Sequence, residues 1–490
     1  MRKLARKIAF VMVAGCSALT GSAADDGSAE IVDHPEVQGA WAAVDAWIEG
    51  VQTFKQVPGI SVGLVVDQEL VLSKGYGYSN LRRKVPADAD TIYSICSISK
   101  LFTAIGVMQQ RDAGKLSLRD PVTDHLPWLP IEAAHAQSGP ARVVGLLTHS
   151  SGMPREVDFS YWVDKGHPFP DRDSMIERLQ TQQTLYPADT HFQYSNLGLT
   201  LAGEVLMATS GQDYADYVTE RIVQPLGMAD TRPYFPKTLH GKQMAIGYSG
   251  FGREQKREKV VPFDAKALAP AFGFTSTVND LARFASWQFR TLAGQDDSVL
   301  QQNTLREMHR VHWVDPDWET TWGIGFNVRK LETTTAVGHG GGCPGYITAF
   351  MMVPSKKVAA IALTNAGDGP AGLIAQTMLA KLGPALAKAQ KPASEAAKPA
   401  TGVNLKDYAG NFSGGVWGGE LAVRVWGDQL SLVNIPDDNL KDITKLKHQT
   451  GDTFVRLNKQ GEAREAWVFK RDDAGRVVSV NRHSQTYMRI

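Results

Sequence analysis

Two short apolar runs, Ile60-Ser61-Val62-Gly63-Leu64-Val65-Val66 and Leu70-Val71-Leu72, are separated by the polar Asp67, Gln68 and Glu69, a pattern that predicts an antiparallel hairpin. Ahead of it, Trp41, Val44 and Trp47 share one helical face. Behind it, Leu101, Phe102, Ile105 and Met108 recur at helical spacing from Ile98 until Gly114, a suitable stop. From about Gln109 to Met308 amphipathic helical segments alternate with Pro- and Gly-punctuated loops and carry little strand character. This reads as a helical region inserted into a sheet domain. Strand character returns at Tyr346 to Met352 and Val358 to Leu363, with a turn at Ser355 and Lys356, before a last helix from about Pro370 to Leu382.

The pattern then changes. Ala, Lys and Pro dominate from Ala385 to Thr401, with Pro392 and Pro399 and no helical apolar face, which predicts a linker over 385–402. Beyond it, Leu421, Val423 and Val425, then Leu430 and Leu432, Trp467 and Phe469, and Val478 and Val480 alternate between turns at Gly427-Asp428 and Ala474-Gly475. Short strands with tight turns predict a small barrel-like β domain over 403–490.

At the other end, Arg2, Lys3, Arg6 and Lys7 precede an apolar stretch from Ile8 to Ala14 and small residues up to Ala24. That is the pattern of a secretory signal peptide over 1–24, too short for the roughly 20 apolar residues of a membrane span. The expected location is the periplasm or the exterior. Val13-Ala14-Gly15-Cys16 resembles a lipobox, with Cys16 as a lipid anchor, and Ser22-Ala23-Ala24 resembles an ordinary cleavage site; both readings stand. A formal net charge of +1 over 490 residues offers no field for a polyanion, so nucleic acid is not an expected partner and a small molecule or peptide is. Only Cys96 and Cys343 remain beside Cys16, which excludes a disulfide scaffold and a cysteine-based metal site. A single bridge between them is one reading; two buried thiols is the plainer expectation.

Three short patterns carry candidate chemistry. Ser97-Ile98-Ser99-Lys100 places a hydroxyl and an amine one helical turn apart on one face. A serine hydroxyl needs a base to become a nucleophile, and a lysine flanked by Ile98 and Leu101 can be desolvated enough to lose its charge. Ser97 is the only serine with a lysine three residues on, although chance alone supplies about one such spacing in a chain of this length. Tyr194-Ser195-Asn196 precedes an apolar helical run; Tyr194 and Asn196 could serve a proton relay, or the triplet could simply cap the helix. His339-Gly340-Gly341-Gly342 stands just before the strand starting near Tyr346, where backbone free of Cβ atoms could face a ligand, or could simply turn. A rival, Gly59-Ile60-Ser61-Val62-Gly63, matches the GxSxG elbow pattern, but Ser61 lies inside the first predicted strand instead of between a strand and a helix.

Taken in order, Ser97/Lys100, Tyr194/Asn196 and His339/Gly341 are similar to the three active-site motifs of class C β-lactamases, serine D-peptidases and related esterases. Leu146-Leu147-Thr148-His149-Ser150-Ser151-Gly152-Met153-Pro154, Pro225 to Thr231, and Trp322 to Phe326 look like further signatures of that superfamily. The resemblance covers about Val51 to Leu382. It implies a mixed α/β (α+β) fold, an antiparallel sheet flanked by helices with a helical lobe and a cleft between, over 25–384. It also implies an acyl-enzyme on Ser97, with Lys100 and Tyr194 handling protons and Asn196 touching substrate. The backbone N–H groups of Ser97 and Gly342 would form the oxyanion hole, and His339 would bind a carboxylate or steady the tyrosine. No metal and no cofactor are implied. β-Lactamases usually carry lysine at the place of His339, and histidine is mostly neutral above pH about 6.5, so a peptidase or amidase on small peptides is the leading expectation. A carboxylesterase, a weak β-lactamase and a non-catalytic peptidoglycan or peptide binder are the alternatives. The β domain resembles the lipocalin-like modules appended to such peptidases.

Overall fold

The computed structural model describes residues 31–390 and 403–490, except 130, 132–133, 136, 164–165, 332–333, 438–439, 441–442 and 458–462. The signal-peptide segment with Cys16, and most of the linker, lie outside the described residues.

The main sheet grows from strands buried on both faces. In β1 (Gly59–Val66), Ile60, Val62, Leu64 and Val66 enter one core while Val65 enters the other, which is why the run is apolar throughout and does not alternate. The predicted hairpin partner is β2 (Glu69–Asn80), with β3 (Val85–Pro86) at its edge. A two-strand pair, β4 (Tyr93–Ser94) and β5 (Thr275–Ser276), stands apart. The chain then returns through β6 (Trp313–Val314), β7 (Thr321–Trp322), β8 (Asn327–Leu331), β9 (Thr334–Cys343), β10 (Tyr346–Val353) and β11 (Val358–Thr364). These make a nine-stranded antiparallel sheet in the order β3-β2-β1-β11-β10-β9-β8-β7-β6. The run His339 to Gly342 stands just before the strand that starts at Tyr346, as expected, and is itself strand, which was not expected: it lies within β9, paired with β10 from Val337↔Met352 to Cys343↔Tyr346.

Helices α1 (Pro35–Phe54) and α5 (Ala371–Ala389) cover one face of the sheet. The helical lobe covers the other, with α2 (Ser99–Asp112), α3 (Asn196–Ser210) and α4 (Val278–Leu292) packed into a core around Phe102, Phe274 and Phe284. Helix α5 runs seven residues past Leu382, so residues 385–389, read from composition as linker, are helical. Leu382, Ala385 and Leu386 are buried at positions i, i+3 and i+4, and Pro384 faces solvent, where its missing N–H and ring disturb no packing.

The last eight strands, β12 (Gly410–Ser413), β13 (Glu420–Trp426), β14 (Gln429–Ile435), β15 (Thr444–Thr450), β16 (Thr453–Leu457), β17 (Ala463–Arg471), β18 (Val477–Arg482) and β19 (Gln485–Arg489), form a closed barrel. Its interior is filled by Tyr408, Phe412, Leu421, Val423, Phe454 and Phe469. The predicted pairing of Val478 with Val480 as inward residues fails by one position. A bulge opposite Lys470/Arg471 turns Val478 aside, and Val477 and Val480 are the buried pair. The barrel docks on the outer side of α1: Ala422, Trp426, Val433 and Ile435 join the α1/α5 core, and a Cβ at Gly39 would collide with the Trp426 ring.

Candidate active site

The chain reaches Ser97 through a strained corner. Strand β4 ends, Cys96 takes a left-handed φ of +49°, and a 3-10 turn over Cys96–Ile98 leads into α2. Ser97 is half-exposed, whereas every residue of α2 from Ser99 to Met108 is buried.

Lys100 lies one turn on, with no exposed surface. Its Nζ is 3.1 Å from Ser97 Oγ, 2.7 Å from Asn196 Oδ1 and 2.8 Å from the Ala271 carbonyl oxygen. Burial pushes the lysine well below its ordinary pKa; Glu156 pulls it back up and Arg155 opposes that. As an ammonium Lys100 donates to all three oxygens. Once it has lost a proton, Asn196 Oδ1 and the Ala271 carbonyl, which can only accept, take the two remaining N–H bonds and leave the lone pair for the Ser97 hydroxyl.

Tyr194 and Asn196 enter from the start of α3, where both readings of the triplet hold at once. Ser195 is the N-cap, its Oγ accepting from Gly198 N at 2.7 Å, and the residues on either side of it face Ser97 and Lys100. The buried Tyr194 hydroxyl is raised by desolvation and lowered by its hydrogen bond to Ser97. Asn196 turns its amide the other way, donating from Nδ2 to Glu156 Oε1 at 2.6 Å.

From β9, His339 faces the same aromatic wall, 6.1 Å from the Tyr194 ring and 5.5 Å from Trp322. Its Nδ1 contacts the Gly340 carbonyl at 2.5 Å, which fixes the proton there, and its Nε2 is buried without a partner. Burial, with help from Lys100, holds it down to about 3. It is neutral at any ordinary pH. Gly341 is the point of closest approach: a Cβ there would meet the Ile95 carbonyl and Thr348 Oγ1, which are themselves hydrogen-bonded at 3.0 Å. Gly342 is exposed beside it.

The expectation of two free thiols is overturned. Cys96 and Cys343 are disulfide-bonded, Cα to Cα 5.8 Å, which joins the residue before Ser97 to the residue after Gly342. The sequence offered these two cysteines but no sign that the turn holding one meets the strand end holding the other.

Four residues at the site were given no role from sequence. His149, left-handed after the helix Val143–Thr148, lies 4.3 Å from the Tyr194 ring and accepts from Ser195 N at Nδ1, 3.0 Å. Trp322 closes the aromatic wall. Arg155 and Glu156 follow the Leu146–Pro154 signature by one and two positions, a proximity that could have flagged them. Among the described residues no group of three or more His, Cys, Asp or Glu side chains is placed to hold a metal ion.

A buried amine on a serine hydroxyl, with a tyrosine on the same oxygen and a glycine-lined strand opposite, defines a serine-hydrolase type of site on a sheet-and-lobe fold. The beta-lactamase family profile matches residues 44–383, and the chain belongs to that family, whose members are generally serine hydrolases. Protein flp of Staphylococcus aureus (strain MW2) is 29% identical over 247 residues, 50% of this chain and 48% of that protein. Beta-lactamase-like protein 2 of Dictyostelium discoideum is 32% identical over 336 residues, 66% of this chain and 59% of that one. The chain thus spans about half the length of the staphylococcal relatives it matches. Among solved structures, the octameric penicillin-binding protein homologue from Pyrococcus abyssi superposes with a TM-score of 0.62 at 25% identity, covering 91% of this chain and 99% of that one. The D-stereospecific amidohydrolase from Streptomyces sp. shares the fold, with a TM-score of 0.59 at 21% identity over 69% of this chain and 97% of that one.

Proposed function

We propose that this protein is an exported serine acyl hydrolase, a peptidase or amidase on small peptides, working through an ester on Ser97. The observation that carries the reading is the fully buried Lys100, its Nζ 3.1 Å from Ser97 Oγ and its pKa pushed well below the ordinary value by desolvation. In the proposed cycle Lys100 takes the hydroxyl proton as Ser97 attacks the carbonyl carbon. The developing oxyanion rests on the backbone N–H groups of Ser97 and Gly342. Tyr194 then gives its proton to the leaving group and is reprotonated by the proton that Lys100 took from Ser97, and water reverses the sequence to free the acid. Asn196 holds Lys100 in place. Because His339 is neutral, it offers the tyrosine side of the cleft an acceptor and no charge, which favours a peptidase over a β-lactamase. The Cys96–Cys343 bond accords with an oxidising compartment, and so with export.

The test is intact mass after incubation with a fluorophosphonate, a penicillin and a p-nitrophenyl ester, followed by peptide mapping. An adduct on Ser97, with slow release of the penicillin, is the expected result. Folded protein that takes none of the three would be a binder instead of a hydrolase.

A further inference from the structure

Among the described residues four basic side chains surround the Tyr194 ring, and burial disfavours the charged form of three of them. Lys100 and His149 are buried and pushed well below their ordinary pKa values, and His339 is held to about 3. The fourth is Arg155, a guanidinium that stays protonated in any protein setting. It is also the exposed one, with 59% of its side chain open to solvent.

Arg155 is anchored but unspent. Its carbonyl oxygen accepts from Asn196 N at 2.8 Å and Leu197 N at 3.2 Å, so its backbone is fixed to the start of α3. Its guanidinium carbon sits 5.1 Å from the centroid of the Tyr194 ring. None of its five N–H bonds has a hydrogen-bond partner among the described residues. The nearest acceptor is Glu156, at 3.5 Å from Nε. That carboxylate already accepts short bonds from Asn196 Nδ2 and Tyr161 Oη, each 2.6 Å. A planar fork with free donors, aimed over the ring of the residue that touches Ser97, is the geometry that receives a carboxylate in two parallel hydrogen bonds.

We propose that Arg155 is the specificity-determining residue of this site and that it binds the free C-terminal carboxylate of a peptide whose last residue is the leaving group. The inference rests on the acyl-hydrolase reading and refines it. It places the carboxylate on the leaving side because the guanidinium shares the ring of Tyr194, the residue that hands the leaving amine its proton. Charge recognition thus moves from the strand position of His339 to the loop before α3.

The probes are acetyl-dialanine in each stereochemistry and the matching C-terminal amides. Each is used to slow fluorophosphonate labelling of Ser97 in the full-length protein, and hydrolysis is followed alongside. In the unaltered protein the better acid should protect Ser97 at least about tenfold more strongly than its amide, the scale of one charge-assisted contact. Because Arg155 also lowers the Lys100 pKa, both substrates are compared on the plateau of each variant's pH profile. There R155Q should abolish the preference by raising KM for the acid at least about tenfold more than for the amide, and R155K should restore part of it. Equal protection by acid and amide, or equal effects of R155Q on both, overturns the role of Arg155. Absence of any Ser97 labelling in the unaltered protein overturns the hydrolase reading itself, so the two failures are distinct.

Discussion

Lys100 Nζ lies 3.1 Å from Ser97 Oγ while its other two contacts, on Asn196 and Ala271, are atoms that can only accept. When the amine is neutral, those two acceptors use its N–H bonds and its lone pair is free for the hydroxyl. That makes the removal of either partner informative. Ser97→Ala should abolish hydrolysis with the thermal midpoint within a few degrees of the parent. Lys100→Arg keeps a long cation but cannot shed its proton, and should cost at least ~100-fold in kcat/KM. A fully active Lys100→Arg would sink the general-base role.

The same lysine sets the pH profile. Burial lowers its pKa, so the active, unprotonated form dominates from a lower pH than an ordinary lysine allows. kcat/KM should therefore rise with pH along an acidic limb and then level off. Glu156 raises the Lys100 pKa, so Glu156→Gln, which keeps hydrogen-bonding groups for Asn196 and Tyr161, should move that limb to lower pH. A limb that stays put or moves up would assign the titration to another group.

At Gly341 the prediction is steric. A methyl group would press on the Ile95 carbonyl and Thr348 Oγ1 and push β9 away from the nucleophile turn. Gly341→Ala should lower kcat by about tenfold or more, since donors to an oxyanion act over a few tenths of an ångström. Unchanged kcat in the folded variant would show that β9 does not border the oxyanion hole.

Reduction of Cys96–Cys343 releases two points 247 residues apart in sequence that flank the proposed oxyanion donors. On a chain-entropy argument the bond is worth roughly 5 kcal/mol. Cys343→Ala, or treatment with a phosphine reductant, should lower the melting midpoint and slow acylation together. A melt indifferent to reductant would mean that the surrounding sheet alone holds the corner.

Sequence patterning reached the parts of this molecule governed by local period and missed those fixed by distant contact. The hairpin of β1 and β2, the helix after Ser97 and the barrel strands announce themselves through apolar spacing. Order along the chain linked Ser97, Lys100, Tyr194, Asn196 and His339, which the fold brings around one cleft. Strand β9 escaped because Gly338 and Gly340 to Gly342 leave no alternation to read. The end of α5 escaped because Pro384 masks the Leu382, Ala385, Leu386 stripe. Arg155 and Glu156 sit on a loop about forty residues before Asn196, and nothing local says that they meet it. The disulfide needed the turn at Cys96 and the end of β9 to be seen side by side.

The face of α1 turned from the sheet has no water of its own to meet. Trp426 lies against Gly39, Ile435 packs at Gly50, and Trp47 donates to the Asp437 carbonyl. Modularity is therefore lower than the barrel's closed strands suggest. Cutting at the linker does not separate two finished objects; it strips one helix of half its packing and leaves an apolar scar on the back of the catalytic unit. A barrel borrowed from a relative would have to bring its own matching α1, so the first helix and the last domain are exchangeable only as a pair.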